Sequence, residues 1–238
     1  FTDNMTKFLI MKGLSMNLLL NISDAVAKYA RLNPHKLGAR DSQRSLTFEA
    51  WNQRATQLAN SLRGLGLRKG DRVALLAYNC VEWMEIYVGL ARAGLVAVPL
   101  NFRLMTNEIQ YIVAHCEAQA FIVQDELVDR VEPIKGSLNI PAKAYISFGA
   151  TQPQGWAQYE ELLAHAPAYI QPVEVLPADM SALMYTSGTT GKPKGAIRSH
   201  EGSSLIALAT ALEMGFTERD TALLVMPMCH ANSLYFSH

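Results

Sequence analysis

The 238-residue sequence has little cysteine, no long apolar run and no excess of charge of either sign. Cys80, Cys116 and Cys229 are too widely spaced for a metal site or a disulfide framework, so we expect a reducing compartment, the cytoplasm. No apolar run reaches the roughly 18 residues that an integral membrane segment needs. The 21 basic and 21 acidic residues balance, which argues against nucleic acid or a membrane surface as a partner.

Short apolar segments alternate with amphipathic segments along most of the chain. The predicted helices are 21–32, 47–65, 81–93, 106–115, 125–135, 156–165 and 199–214. The predicted strands, which follow a hairpin over 37–46, are 72–77, 95–99, 120–124, 143–148, 180–184, 196–198 and 221–226. This alternation predicts an α/β domain with mainly parallel sheets flanked by helices. Folds of this kind bind ligands at the carboxyl ends of their strands.

The stretch from Tyr185 to Gly195 is rich in Ser, Thr and Gly and follows a predicted buried strand. Gly188 and Gly191 can adopt positive φ angles and let the backbone approach a ligand. Successive amides in such a turn can form an anion-binding concavity. Further donors are the hydroxyls of Thr186, Ser187, Thr189 and Thr190 and the ammonium of Lys194. The stretch therefore predicts a phosphate-binding loop, and a flexible hairpin turn is the alternative.

This loop is not a Walker A motif, because Pro193 follows Lys192 where that motif needs Ser or Thr. Residues 186–195, Thr-Ser-Gly-Thr-Thr-Gly-Lys-Pro-Lys-Gly, instead resemble the phosphate loop of the acyl-adenylate-forming superfamily. That superfamily contains acyl- and aryl-CoA synthetases, nonribosomal peptide adenylation domains and beetle luciferases. Its pattern is Ser/Thr-Ser/Thr-Gly-Ser/Thr-Thr-Gly-any-Pro-Lys-Gly, which the sequence matches at every position. With weaker similarity around residues 46–49 and 70–101, the resemblance covers nearly the whole chain.

The resemblance implies that ATP and a carboxylic acid react to give an acyl-adenylate and pyrophosphate. Coenzyme A then attacks the adenylate and gives a thioester and AMP. We therefore expect an acyl-CoA synthetase of the fatty-acid type, with Mg²⁺ accompanying ATP and no metal ligand assigned to the chain. The residues implied to wrap the phosphates are Thr186, Ser187, Gly188, Thr189, Thr190 and Gly191. Lys194 is implied to neutralise the leaving pyrophosphate.

A second candidate site is the segment Pro227-Met228-Cys229-His230. The resemblance places His230 beside the acyl carboxylate, as a catalytic residue whose imidazole can orient an anion. The alternative is a strand-end histidine that is satisfied by backbone groups. Cys229 stands where the superfamily tends to have an aromatic residue, so the size of the acid stays open. Because no activating base is evident near Cys229, we expect a wall residue rather than a nucleophile.

The superfamily's later motifs have no counterpart before His238: the aromatic-Gly-any-Thr-Glu segment, the ribose-binding Asp, the hinge and the C-terminal-domain Lys. The resemblance thus implies the front part of a large N-terminal domain, with the C-terminal part of the enzyme missing. Residues 1–172 would be a first α/β portion, and residues 173–238 the phosphate-loop portion of the same domain. We expect these residues alone to be inactive. Two alternatives are an adenylation domain that loads a carrier protein and a non-catalytic nucleotide- or partner-binding module.

Overall fold

Helices and strands alternate along the chain, as the sequence pattern predicts. The computed structural model describes residues 21–169, 173–186 and 192–231. The α-helices in these ranges are α1 (Ile22–Leu32), α2 (Phe48–Gly64), α3 (Glu82–Ala93), α4 (Thr106–His115), α5 (Tyr159–His165) and α6 (His200–Met214). None of these helices is both long enough and apolar enough to cross a membrane.

The strands form one large sheet and one small one. They are β1 (Leu37–Arg40), β2 (Ser45–Thr47), β3 (Arg72–Leu76), β4 (Val96–Leu100), β5 (Ala120–Gln124), β6 (Tyr145–Phe148), β7 (Ala157–Gln158), β8 (Met180–Thr186) and β9 (Lys194–Ser199). Strands β1 and β2 pair antiparallel, and the other seven form a sheet in the order β7-β6-β5-β3-β4-β8-β9. All neighbours in that sheet are parallel except β8 and β9. The predicted mainly parallel α/β fold is confirmed.

The centre of the core is made by strands that are buried along almost their whole length. All five residues of β4 and the last four of β3 are buried, which fits their apolar sequences, Val-Ala-Val-Pro-Leu and Val-Ala-Leu-Leu. Helices α2 and α3 pack closely against each other, because Gly89 has no side chain. A Cβ atom at Gly89 would lie 2.9 Å from Leu58 Cδ2 and 3.1 Å from the carbonyl oxygen of Ala55. Apolar residues at helical spacing form the face that α2 buries: Trp51, Ala55, Leu58, Ala59 and Leu62.

The predicted helix over 125–135 is not an α-helix. Two 3₁₀ helices, Asp125–Arg130 and Glu132–Ser137, occupy this region. Pro133 lies in the first turn of the second helix and has no backbone N–H to donate, so a continuous α-helical ladder cannot form across it. Tighter turns still bury Leu127 and Ile134 against the core.

The predicted strand over 221–226 is wrong. These residues are irregular, and they pair with none of the described strands. Leu223 is 85% exposed and Val225 is 75% exposed. The apolar sequence suggested burial, but a strand also needs a neighbour to satisfy its backbone hydrogen bonds. Here the Asn79 side chain provides one partner, donating to the carbonyl oxygen of Met226 at 2.9 Å.

Candidate functional site

The predicted phosphate loop joins two antiparallel strands, β8 and β9. Thr186, the last residue of β8, pairs with Lys194, the first residue of β9. The Thr186 hydroxyl donates to the carbonyl oxygen of Lys194 at 3.5 Å, and both residues are exposed. The other predicted phosphate ligands, Ser187, Gly188, Thr189, Thr190 and Gly191, lie outside the described residues. The structure therefore shows that the base of the loop is a strand pair in which Thr186 lies opposite Lys194.

Gly195, the last residue of the loop motif, is needed for packing within the hairpin. It pairs with Tyr185 across the two strands. A Cβ atom at Gly195 would lie 2.9 Å from Leu183 Cδ1 and 3.3 Å from the Tyr185 ring. The absence of a side chain at this position thus lets Leu183 and Tyr185 lie over the neighbouring strand.

His230 lies in a turn that closes the segment Pro227–Ala231. Its backbone N–H donates to the carbonyl oxygen of Pro227 at 2.9 Å, and the residue is exposed. Met228 and Cys229, directly before it, are buried against the core. The turn therefore anchors two side chains inside the core and presents the next residue at the surface.

Two residues that sequence reasoning did not assign to the site hold this segment in place. Asn79 lies just after β3, and its side-chain oxygen Oδ1 accepts the backbone N–H of Met228 at 2.8 Å. The buried Tyr87 hydroxyl donates to the carbonyl oxygen of Met228 at 3.1 Å. Burial raises the pKa of Tyr87 well above its usual value, so the hydroxyl keeps its proton. A polar residue at the carboxyl end of a buried strand was the available signal for Asn79.

The two parts of the site lie near the same edge of the large sheet. Asn79 follows the carboxyl end of β3, and Thr186 is at the carboxyl end of β8. Strand β4 lies between β3 and β8, and all three are parallel. Since neighbouring strands are about 4.8 Å apart, the two strand ends are separated by roughly 10 Å. This edge is where folds of this class bind ligands.

Cys229 has the environment of a wall residue. Burial raises the pKa of its thiol, although the backbone N–H of Phe102 and the positive charge of Arg103 act in the opposite direction. A buried thiol with a raised pKa is not a reactive nucleophile. Cys229 is thus an unreactive residue packed against the core, and its role as a wall of an acid pocket stays a prediction.

The model of the family described as AMP-binding enzyme matches residues 26–237, almost the entire chain. The chain belongs to this family. This agrees with the phosphate-loop motif, and the family's fold in this chain is the parallel sheet and hairpin described above.

Curated relatives of the chain include several CoA ligases. The medium-chain-fatty-acid–CoA ligase of Ectopseudomonas oleovorans is 33% identical over 94% of this chain and 43% of its own length. The long-chain-fatty-acid–CoA ligase of Thermus thermophilus is 36% identical over 79% of this chain and 34% of its own length. The chain thus spans less than half the length of these relatives.

Solved structures show the same fold. The N-terminal domain of FACL13 from Mycobacterium tuberculosis matches with a TM-score of 0.79 and 30% identity, covering 91% of this chain and 54% of that one. The anthranilate CoA ligase AuaEII, solved in complex with anthranoyl-AMP, matches with a TM-score of 0.75 and 29% identity, covering 83% and 38%.

Proposed function

We propose that this AMP-binding enzyme activates a carboxylic acid with ATP and then forms a thioester with coenzyme A. The observation that carries the proposal is the hairpin of β8 and β9, with a complete phosphate-loop motif between its strands in a chain whose relatives are CoA ligases. In the first step the acid's carboxylate oxygen attacks the α-phosphorus of ATP, and pyrophosphate leaves. In the second step the thiol of coenzyme A attacks the acyl carbon, and AMP leaves.

The loop residues would bind the phosphates of ATP. In this proposal the hydroxyls and amides of residues 186–191 donate to phosphate oxygens, and Lys194 neutralises charge on the departing pyrophosphate. Reactions of this type depend mainly on positioning and charge neutralisation. In this proposal Mg²⁺ accompanies ATP on its phosphates, a usual mode for this ion.

His230 would line the acid site as the catalytic residue that orients the carboxylate. Support comes from its exposure at the end of a segment that Asn79 and Tyr87 tether. We propose a fatty acid as the substrate class, because relatives that act on medium-chain and long-chain fatty acids are among the most similar. Relatives named 2-succinylbenzoate–CoA ligase and feruloyl-CoA synthase make aryl acids the class to compare.

We also propose that residues 1–172 and 173–238 belong to one domain, since β8 of the second portion pairs with β4 of the first. This pairing across the boundary attaches the strand that precedes the loop to the core formed by the first portion. The 238-residue polypeptide alone is proposed to be inactive, and to act in the cytoplasm as part of a complete enzyme. Acid-dependent pyrophosphate release by this polypeptide would contradict the first of these statements.

The test is thioester formation by the complete protein with ATP, Mg²⁺ and coenzyme A, across fatty acids of increasing chain length and a matched set of aryl acids. Acyl-CoA products from fatty acids alone would support the full proposal. Aryl-CoA products would keep the ligase and correct its substrate class. Adenylate formation without any thioester would favour transfer to a carrier protein, and no turnover despite ATP binding would favour a non-catalytic module.

A further inference from the structure

The residue before the phosphate loop contacts helix α4 through a hydrogen bond. The Tyr185 hydroxyl and Nδ1 of His115, the last residue of α4, are 2.6 Å apart. Their rings meet edge to face, with centroids 5.7 Å apart and an interplanar angle of 85°. Burial raises the pKa of Tyr185 to about 12, so the hydroxyl keeps its proton at neutral pH and can donate it.

The chain leaving the loop contacts the same helix. Tyr111 lies one turn before His115, and the two rings stack with centroids 5.5 Å apart. The ammonium group of Lys192 lies 5.9 Å from the centre of the Tyr111 ring, within the range of a cation–π contact. One face of α4 therefore contacts residues on both sides of positions 187–191.

The pairing of β8 with β9 fixes the two ends of the loop relative to each other, and β8 is tied to the core by its pairing with β4 at Ala182, four residues before Thr186. The contacts with α4 add a second constraint next to the loop itself, because Tyr111 and Tyr185 both pack against the main core cluster. Gly195 adds to it by leaving room for the Tyr185 ring. A loop whose ends are fixed beforehand loses less conformational freedom when it binds a ligand.

We propose that Tyr111, His115 and Tyr185, called the aromatic brace from here on, are positioning residues that fix the ends of the phosphate loop for binding the triphosphate of ATP. This inference rests on the proposed function, because it assigns ATP to the loop. It adds that residues of α4, which lie far from the loop motif in sequence, set the affinity for ATP.

Tyr185→Phe tests the brace with the smallest change, since it removes only the hydroxyl. In the complete protein we expect the Kd for Mg²⁺–ATP, measured by titration calorimetry, to rise about fivefold to tenfold, the effect of losing one hydrogen bond. The KM for ATP should rise by a similar factor while the KM for the acid stays unchanged. His115→Ala should act in the same way, and His115→Asn, which keeps a hydrogen-bonding side chain, should recover part of the affinity. The Kd of the double variant should be no higher than that of the single variant that binds ATP more weakly, because both changes remove the same hydrogen bond.

Tyr145→Phe is the matched control. Tyr145 also meets a neighbouring ring edge to face, has a lysine over its ring, and donates its hydroxyl to the carbonyl oxygen of Lys135 at 2.9 Å. It lies on β6, away from the loop, so its loss should change the thermal midpoint but not ATP affinity. The brace is overturned if Tyr185→Phe binds ATP as the unsubstituted protein does, or if Tyr145→Phe weakens binding equally. If the unsubstituted protein binds no ATP, the proposed function fails, and this inference fails with it.

Discussion

Glu85 is a fully buried carboxylate on α3, and its partners come from three other parts of the chain. Arg54 Nε lies 2.6 Å from Glu85 Oε1, and Arg44 Nη2 lies 2.5 Å from the same oxygen. The hydroxyl of Tyr159 donates to Oε2 at 3.0 Å. This cluster joins the turn after β1, helix α2 and helix α5 to α3. Removing the negative charge would leave two guanidinium groups without their buried partner.

Glu85→Gln should therefore lower the free energy of unfolding by about 3 kcal/mol, the usual cost of breaking a buried ion pair. Urea denaturation at neutral pH measures this. Glu160→Gln is the control, since Glu160 also pairs with Arg54 but its side chain is 58% exposed. An exposed pair contributes at most about 1 kcal/mol. Equal losses in the two variants would show that burial does not govern this cluster.

Asp41 makes a second residue-scale prediction, which concerns pH. Burial acts to raise the pKa of Asp41, but backbone N–H groups of Arg44, Val81 and Gln43 donate to its carboxylate and lower the pKa overall. A lowered pKa in the folded state stabilises the protein above the unfolded value, and this contribution is lost as the pH falls through the folded value.

Asp41→Asn should thus be less stable than the unsubstituted protein at pH 7, by about 1 to 2 kcal/mol. The difference should shrink once the pH falls below about 4, near the unfolded pKa of Asp. Urea midpoints of both proteins between neutral pH and pH 3 measure it. A stability difference that stays constant over this range would argue against a role for the ionised carboxylate.

At the scale of elements, the segment before His230 shows how a site can be held without regular structure. Residues 221–226 are not a strand, and the side chain of Asn79 bonds the backbone of Met226 and Met228. Since the turn at Pro227 depends on this tether, the position of His230 depends on Asn79 as well.

Asn79→Ala should raise the KM for the acid about tenfold, because it removes the two hydrogen bonds that hold the segment before His230. The KM for ATP should stay unchanged, because these bonds do not involve the phosphate loop. Steady-state kinetics of the complete protein measure both. Asn60→Ala is the control, because the Asn60 amide also donates to two loop carbonyls, those of Pro167 and Tyr169, each at 2.7 Å. Asn60 lies on α2, away from the site. A similar effect of both variants, or a higher KM for ATP, would speak against the tether.

The elements that the sequence predicted are those whose formation depends on residues close together in the chain. Strands β3 and β4 follow from unbroken apolar runs, and helix α2 from its apolar stripe and the cap at Thr47, whose hydroxyl accepts the N–H of Ala50 at 3.2 Å. The loop motif follows from the order of ten consecutive residues. The roles of Asn79 and Glu85 could not be predicted in this way. Their partners lie 31 to 149 positions away along the chain, and only the fold brings them together.

On the scale of the whole molecule, exposed apolar side chains are concentrated near the hairpin. Ten of the fifteen exposed large hydrophobic residues in the described part of the chain lie between Ile197 and Met226. Helix α6 buries only His200 and Ser203 although it is rich in Leu and Ala. Apolar surface of this extent is a contact surface or a cause of association.

The 238-residue polypeptide should consequently associate in solution, and Leu208→Lys with Leu212→Lys should reduce the association. These side chains are 54% and 73% exposed, so the change should cost little stability. Sedimentation velocity over a range of concentrations measures it. Leu32→Lys, on α1 and 64% exposed, is the control and should leave association unchanged. A polypeptide that stays monomeric at every concentration would contradict association through the apolar surface of α6.

The most direct test of the central claim is acid-dependent pyrophosphate release from ATP by the complete protein, compared with its Lys194→Ala variant. Lys194 stands beside Thr186 at the base of the loop, so its loss should reduce release at least about tenfold, as expected when a charged contact to phosphate is removed. Lys143→Ala, at an exposed lysine elsewhere, should release pyrophosphate at the unsubstituted rate. Release that is independent of the acid, or undiminished in Lys194→Ala, would contradict carboxylate activation at this loop.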